Sequence, residues 1–195
     1  MKRKFLTVLS LLLVCALVFG ACANRPDVPA EPEATATPEP MFTNPLTGEQ
    51  TYTDYSQTRP VAIMVENNHW DDGTLIAQGG LSQADIVYEM QVESITRNMF
   101  LFMDTDGLNN VFPIRSARSY FVSAALSYGA IFAHCGKSGE GLEFADTMLV
   151  NYTDADDIEV HEGSCGFRQY DAPYFGAVHS MTTTGERLQD LFAQY

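Results

Sequence analysis

Apolar and polar residues alternate from Asp85 to Glu93. Ile86, Tyr88, Met90 and Val92 fall on one side, and Val87, Glu89, Gln91 and Glu93 on the other. A period of two predicts a half-buried strand. Arg97 to Asp104 reads as a second strand, and the short connection Ser94-Ile95-Thr96 makes the pair a hairpin. Thr58 to Glu66 has a different pattern. Its apolar run, Val61-Ala62-Ile63-Met64-Val65, is unbroken, as in a strand covered on both faces. From Ser116 to Tyr128 the period lengthens: Ala117, Tyr120, Phe121, Ala124, Ala125 and Tyr128 form one helical stripe. Ser116 is placed as its N-cap, and Gly129 stands where a helix stop needs positive φ. A short buried strand, Ala130 to His134, comes next, and Gly136 turns the chain into a second helix over 138–149. Thr183 and Glu186 fit a capping box ahead of Leu188, Leu191 and Phe192.

The order strand, helix, strand, helix over 97–149 is a β-α-β-α run, which favours parallel pairing through a right-handed crossover. Together with the antiparallel hairpin it predicts an α/β (or α+β) domain: a mixed sheet with helices packed on it.

The N-terminus carries a different pattern. Lys2, Arg3 and Lys4 precede an apolar run from Phe5 to Phe19, broken only by Thr7 and Ser10. A membrane-spanning helix takes roughly 20 apolar residues, so this run suits the hydrophobic region of a signal peptide. It ends Gly20-Ala21-Cys22, two small residues before a cysteine, as a lipoprotein signal peptidase requires. Residues 1–21 are therefore expected to be a cleaved lipoprotein signal peptide, with Cys22 lipidated. Phe19 departs from the Leu common in such a lipobox. Five prolines between residues 23 and 43 leave no apolar period. That composition suits an extended tether over 22–43, at ~3.1 Å per residue about 60 Å long at most. Residues 44–195 are then one globular domain of ordinary size. The expected location is the extracytoplasmic face of the cell membrane, held by the lipid.

Charge narrows the partners. The chain has 11 Lys and Arg against 25 Asp and Glu, a formal charge of −14. Lys2, Arg3 and Lys4 leave with the signal and no acid does, so the mature chain has 8 basic against 25 acidic residues. Nucleic acid is a poor partner for such a surface. The densest acidic run, Thr153 to Asp157, lacks the glycine and terminal glutamate of an EF-hand. No zinc spacing and no cofactor motif is present; Gly136-Lys137-Ser138 ends like a P-loop, but Ile131 stands where the first glycine belongs. Cys135 and Cys165 are the remaining mature cysteines, and spacing alone leaves a disulfide between them open.

In a β-α-β-α run the helix N-termini share one sheet edge, where ligands tend to bind. That edge would carry Arg115 and Arg118, then His134 and Ser138. Two arginines at a helix start oppose its dipole, so a carboxylate such as Glu89 or an external anion should balance them. Glu89 and Glu93 lie ~13 Å apart along a strand, too far for a glycosidase pair, and Glu93 is expected to pair with Arg97 instead. Arg168 and His179, in the irregular C-terminal segment, complete the candidate set if that segment folds over the same edge.

Several motifs together resemble a known family: Asn44-Pro45-Leu46-Thr47-Gly48, Arg59-Pro60-Val61-Ala62, Gly80-Leu81-Ser82-Gln83-Ala84-Asp85-Ile86-Val87-Tyr88-Glu89, Ile95-Thr96-Arg97, Arg115 to Phe121, and His134-x-Gly136-x-Ser138. They resemble the N-terminal domain of YerB-like lipoproteins, called domain of unknown function 3048. The chain departs where the family has Gly-Gly before Ile-Thr-Arg and carries Ser94 instead, and Lys137 replaces a glycine. The resemblance implies an envelope lipoprotein, and a C-terminal domain that this chain lacks, but no reaction. The expected role is a non-catalytic binding or scaffolding module that recognises an anionic group on a wall component or partner protein. The alternative is an envelope hydrolase acting on glycan or phosphodiester, with His134 or His179 as acid/base.

Overall fold

A computed structural model describes residues 41–69, 73–137, 157–168 and 179–194. The segment expected to be a signal peptide, with Cys22, most of the expected tether, and the helix expected over 138–149 with Ser138 lie outside the described residues.

Five strands form the central sheet: β3 (Val61–Asn67), β4 (Ile86–Val92), β5 (Ile95–Phe102), β6 (Ile131–His134) and β7 (Asp157–Glu159), in the order β4-β5-β3-β6-β7. A small hairpin precedes it, β1 (Phe42–Thr43) with β2 (Gln50–Thr51), so folded chain begins two residues inside the segment read as tether. A second small ribbon pairs β8 (Phe167–Arg168) with β9 (Met181–Thr182). The two described helices are α1 (Ser119–Ser127) and α2 (Gly185–Phe192). The sheet is mixed, with an antiparallel hairpin and helices on it, as the patterns indicate.

Each strand's alternation sorts its side chains onto two faces. Ala62 and Met64 of β3 join Met99 and Leu101 of β5 in a cluster covered by Phe121, Val122 and Ala125 of α1. Val61, Ile63 and Val65 join Phe100 and Phe102 on the other face, where Leu188 of α2 packs. β3 is buried along nearly its whole length, which explains its unbroken apolar run.

Pairing differs from the simplest reading of the β-α-β-α run. The strand after α1, β6, pairs parallel with β3 rather than with β5. β5 has no free edge: β4 holds one side and β3 the other, both antiparallel. The open edge of β3 therefore receives the crossover. The hairpin turn is also tighter than expected, because Val92 pairs with Ile95 and leaves only Glu93 and Ser94 between the strands. Glu93 takes φ 38°, a conformation that suits the glycine of the family pattern better than a glutamate.

β6 follows β3 only from Val61 to Ile63. Beyond that point the two strands part, and residues 113–117 run between them. Glu66 N–H donates to the Pro113 carbonyl and Arg115 N–H to that of Met64; on the other side Cys135 N–H donates to Arg115 O and Ala117 N–H to Gly136 O. This wedge, entered through a cis Phe112–Pro113 bond, places Arg115 in the crevice at the carboxyl ends of β3 and β6.

Candidate functional site

The crevice is built around Glu66. This residue follows the apolar run of β3 at its penultimate position, shares a face with Met64, and is 0% exposed. Its Oε2 is approached from two directions, by an ion pair and by an imidazole. Arg115 Nε lies at 2.7 Å and His179 Nδ1 at 3.2 Å. The C-terminal segment thus folds over the same edge as the wedge.

Arg97 is the Cα partner of Glu66 across the β3–β5 ladder and is 5% exposed. Its Nη1 donates to the Ser116 carbonyl at 3.2 Å. Arg118 also donates to the carbonyls of Ser116 and Ala117, and its Nε pairs with Glu93 Oε1 at 2.9 Å. Burial and the neighbouring guanidinium groups of Arg115 and Arg118 push the Arg97 pKa down, against the pull of Glu66 and Glu93. Arg97 therefore lies within reach of two other guanidinium groups and two carboxylates. Glu66 Oε1 and Arg97 Nε, both buried, have no hydrogen-bond partner. Leaving a buried polar atom unsatisfied costs about 1–3 kcal/mol.

Sequence reasoning correctly expects the arginines to be balanced but assigns the wrong carboxylate. Glu89 accepts from Asn67, and Glu66 and Glu93 take the arginines. Glu93 pairs with Arg118 rather than Arg97, because Arg97 points to the face where Ser116 lies. The Arg118 guanidinium, through its hydrogen bond, holds the Glu93 carboxyl below its usual range. The dipole argument also shifts. Helix α1 starts at Ser119 with Arg118 as N-cap, and the Ser116 side chain does not cap it.

His134 is 0% exposed, its ring tilted 5.5 Å from Phe132. Nδ1 lies 2.9 Å from the Gly136 carbonyl and Nε2 2.9 Å from Asp157 Oδ1. Both nitrogens face internal acceptors, so the expectation that His134 touches a ligand or acts as a general base fails on geometry. It braces the β6–β7 edge instead. Lys137 Nζ reaches the other oxygen of Asp157 at 2.8 Å. Burial raises the Asp157 pKa, but the hydrogen bonds and charges of His134 and Lys137 outweigh it and bring the carboxyl below its ordinary range.

Arg168 lies on β8, its Nη1 donating to Ser180 Oγ and its Nε 3.3 Å from Glu162. It does not contact Glu66, yet it belongs to this edge. Its charge and that of Arg115 both act on the Cys135 thiol, which burial pushes up. Cys135 and Cys165 are both free thiols, which answers the disulfide question. Among the described residues there is no cluster of metal-ligating side chains. A cleft of about 600 Å³ lies elsewhere, at the start of β3, lined by Phe42, Tyr55, Tyr128 and Asp54 among others. Its described lining has a carboxylate and no lysine or arginine, so it lacks the chemistry of the crevice.

Glu66, Arg97 and Asp157 are the residues that sequence reasoning missed as site members. For Glu66 a signal existed: a lone carboxylate directly after an unbroken apolar run.

A mixed sheet, split by a wedge that carries an arginine to a buried glutamate, defines the class to which the comparisons point. The family "Protein of unknown function (DUF3048) N-terminal domain" matches residues 46–194, and the chain belongs to it. Over 158 residues, 80% of this chain and 44% of the relative, it is 33% identical to "Putative lipoprotein YerB" of Bacillus subtilis (strain 168). The crystal structure of YerB from Bacillus subtilis superposes with a TM-score of 0.62 at 30% identity, over 79% of this chain and 50% of that one. The chain thus spans about half the length of the relatives it matches.

Proposed function

We propose that this protein is a lipid-anchored module of the cell envelope, and that it binds an anionic group on a wall component or partner protein at the Glu66 crevice. The observation that carries the reading is the gathering of arginines there. Arg97, Arg115 and Arg118 gather beside Glu66 and Glu93 at one sheet edge, in a chain whose formal charge is −14. Guanidinium groups gathered at one partly buried edge repel one another, and an incoming anion there would relieve that repulsion. Arg115, Arg118 and His179 are each partly exposed and form the mouth. The name of the Bacillus relative supports the lipid anchor, as do the signal peptide of residues 1–21 and the small residues before Cys22. The membrane and an envelope partner are the proposed contacts; nucleic acid and a cofactor are not.

The test is a thermal melt of the detergent-solubilised full chain with phosphate, sugar phosphates and wall fragments, beside the Arg115→Ala/Arg118→Ala double variant. Binding to the native state raises Tm by mass action. A rise that the variant loses is expected. A cooperative melt that no anion moves would refute the reading. For the anchor, a palmitate analogue should label the wild type and not Cys22→Ala, and the variant should leave the membrane fraction.

A hydrolase remains the second reading, favoured by one contact. Glu66 orients His179 as a carboxylate orients a catalytic histidine. With His134 sealed, His179 is the acid/base of this alternative. His179→Ala would then abolish turnover of a glycan or phosphodiester while leaving its affinity nearly intact.

A further inference from the structure

We propose that the cleft at the start of β3 is a second binding site, and that it takes an organic ammonium ion, a positively charged nitrogen carried on an apolar body. Its described lining shares no residue with the Glu66 crevice.

The cleft is built by a motif that the crevice does not use. Asn44-Pro45-Leu46-Thr47-Gly48 lies in the connection between β1 and β2. Asn44 shapes that connection. Its side-chain oxygen accepts from Leu46 N–H at 2.8 Å, and its carbonyl accepts from Gly48 N–H at 2.8 Å. Gly48 takes φ 76°, which glycine adopts without strain. Asp85 ties this hairpin to the central sheet. One carboxylate oxygen accepts from Asn44 Nδ2 at 2.8 Å, and the other from Met103 N–H at 2.7 Å, just past the end of β5. Pro45, Leu46 and the buried Met103 are thereby brought into one wall.

Three aromatic residues from separate elements join that wall: Phe42 of β1, Tyr55 of the loop before β3, and Tyr128 just after α1. Tyr128 is fixed in advance, its hydroxyl 2.7 Å from that of Tyr88 and the two rings edge to face at 6.1 Å. The volume, about 600 Å³, is that of a small-molecule site. Asp54 is the one charged residue of the described lining. Ser56 N–H donates to its Oδ1 at 2.9 Å and holds the carboxyl below its usual range, so Asp54 is ionised at neutral pH.

This lining selects by charge. An anion would meet Asp54 in a chain of formal charge −14, with no described lysine or arginine on the wall to receive it. A neutral apolar molecule would use the rings and leave the carboxylate idle. An ammonium ion uses both, because an aromatic face attracts a cation through its quadrupole while the apolar substituents on nitrogen cover the rings.

Isothermal titration calorimetry tests this on the full chain, solubilised in a non-ionic polyoxyethylene detergent. The probes are choline, its neutral isostere with a tert-butyl group in place of trimethylammonium, n-butylamine and N-acetylglucosamine. Choline should bind about tenfold tighter than the neutral isostere. Butylamine should also bind tighter than the isostere; if it exceeds choline the source is a primary amine, and if it falls below choline a methylated one. Asp54→Asn, which keeps an acceptor for Ser56 N–H, should weaken choline about threefold and leave the isostere unchanged. Tyr55→Leu, which keeps the apolar bulk and removes the ring, should weaken choline by about as much. Equal binding of choline and the isostere, or a choline affinity that neither variant moves, would overturn the proposal. So would binding of N-acetylglucosamine alone, which would make the cleft a sugar site, or binding of none of the four. If a variant does not fold, the comparison of the two isosteres on the wild type still decides.

Discussion

Glu66 and Arg97 face each other as Cα partners on the α1 side of the sheet, yet each keeps one buried polar atom without a hydrogen bond. Opposite charges directly across two strands would ordinarily close on each other. Here the glutamate turns its Oε2 to Arg115 and His179, and the arginine reaches for the Ser116 carbonyl. The wedge of residues 113–117 and the C-terminal segment both compete for groups that the ladder alone would have paired.

Removal of the shared carboxylate should therefore unbalance the whole edge. Glu66→Ala leaves Arg97 and Arg115 without their common counter-charge in a buried setting, and such losses cost about 3–5 kcal/mol. Urea denaturation at neutral pH should show a loss of that size. Glu66→Gln, which keeps an acceptor for Arg115, should lose clearly less. Equal losses would mean that packing rather than charge holds Glu66 in place.

Asp157 gives a prediction about pH. Its folded pKa is lowered despite burial, because His134 and Lys137 donate to it. A lowered folded pKa contributes stability above the unfolded value, and that stability fades as pH falls through the folded value. Asp157→Asn should lower stability by about 1–3 kcal/mol at neutral pH and should flatten the acid limb of the stability profile. The two curves should converge at pH values below the ordinary carboxylate range. A gap that stays constant through acid would show that Asp157 contributes by shape and not by charge.

The hydrophobic pattern made most of the sheet legible, and the helix caps show where it stopped. Alternation and unbroken runs placed β3, β4, β5 and β6 because those patterns are set by burial, which each strand carries in its own residues. The partner of β6 was not legible, since it depends on which strand keeps an open edge. The site was half legible for the same reason. Arg115, Arg168 and His179 stood out by type, but Glu66 became a site residue only when the wedge and the C-terminal segment met over it. The Thr183–Glu186 box is a one-residue error of this kind. Thr184 is the N-cap, its side chain accepting from Arg187 N–H, while Thr183 is buried and donates to the Cys165 carbonyl. Thr184→Ala should cost about 1 kcal/mol. Thr183→Val, similar in shape, strands a buried carbonyl and should cost about 1–3 kcal/mol. Thermal melts of the two variants separate the roles, and a cap-sized loss at Thr183 alone would restore the sequence assignment.

Gly185, the first residue of α2, is fixed by a neighbour and not by its backbone angle. A Cβ there would collide with the Thr105 carbonyl oxygen, a backbone atom that cannot rotate away. Gly185 N–H also donates to the Leu108 carbonyl, which holds the helix start against the 105–108 turn. Gly185→Ala should cost at least the ~1–3 kcal/mol of an overpacked core site. The loss should appear as faster unfolding of α2, read by hydrogen exchange at Leu188. Gly107→Ala, where a Cβ meets nothing within 4 Å but φ is 65°, separates crowding from backbone strain. An equal loss at the two positions would argue against crowding.

Arg115 and Arg118 stand three residues apart in one motif, but their settings separate them. The partner of Arg115 is a carboxylate with no exposure, whereas the partner of Arg118, Glu93, has 61% of its side chain exposed. Water and salt screen the second pair, and exposed pairs contribute about 0–1 kcal/mol. Arg118→Ala should therefore cost no more than about 1 kcal/mol, with the cost shrinking in high salt. Arg115→Ala strands the Glu66 carboxylate, so it should cost several-fold more and respond little to salt. Guanidinium-free denaturation in urea, at low and high sodium chloride, measures both quantities together. A salt-sensitive loss at Arg115 would mean that water reaches Glu66, and the crevice would then be open rather than closed over its buried carboxylate.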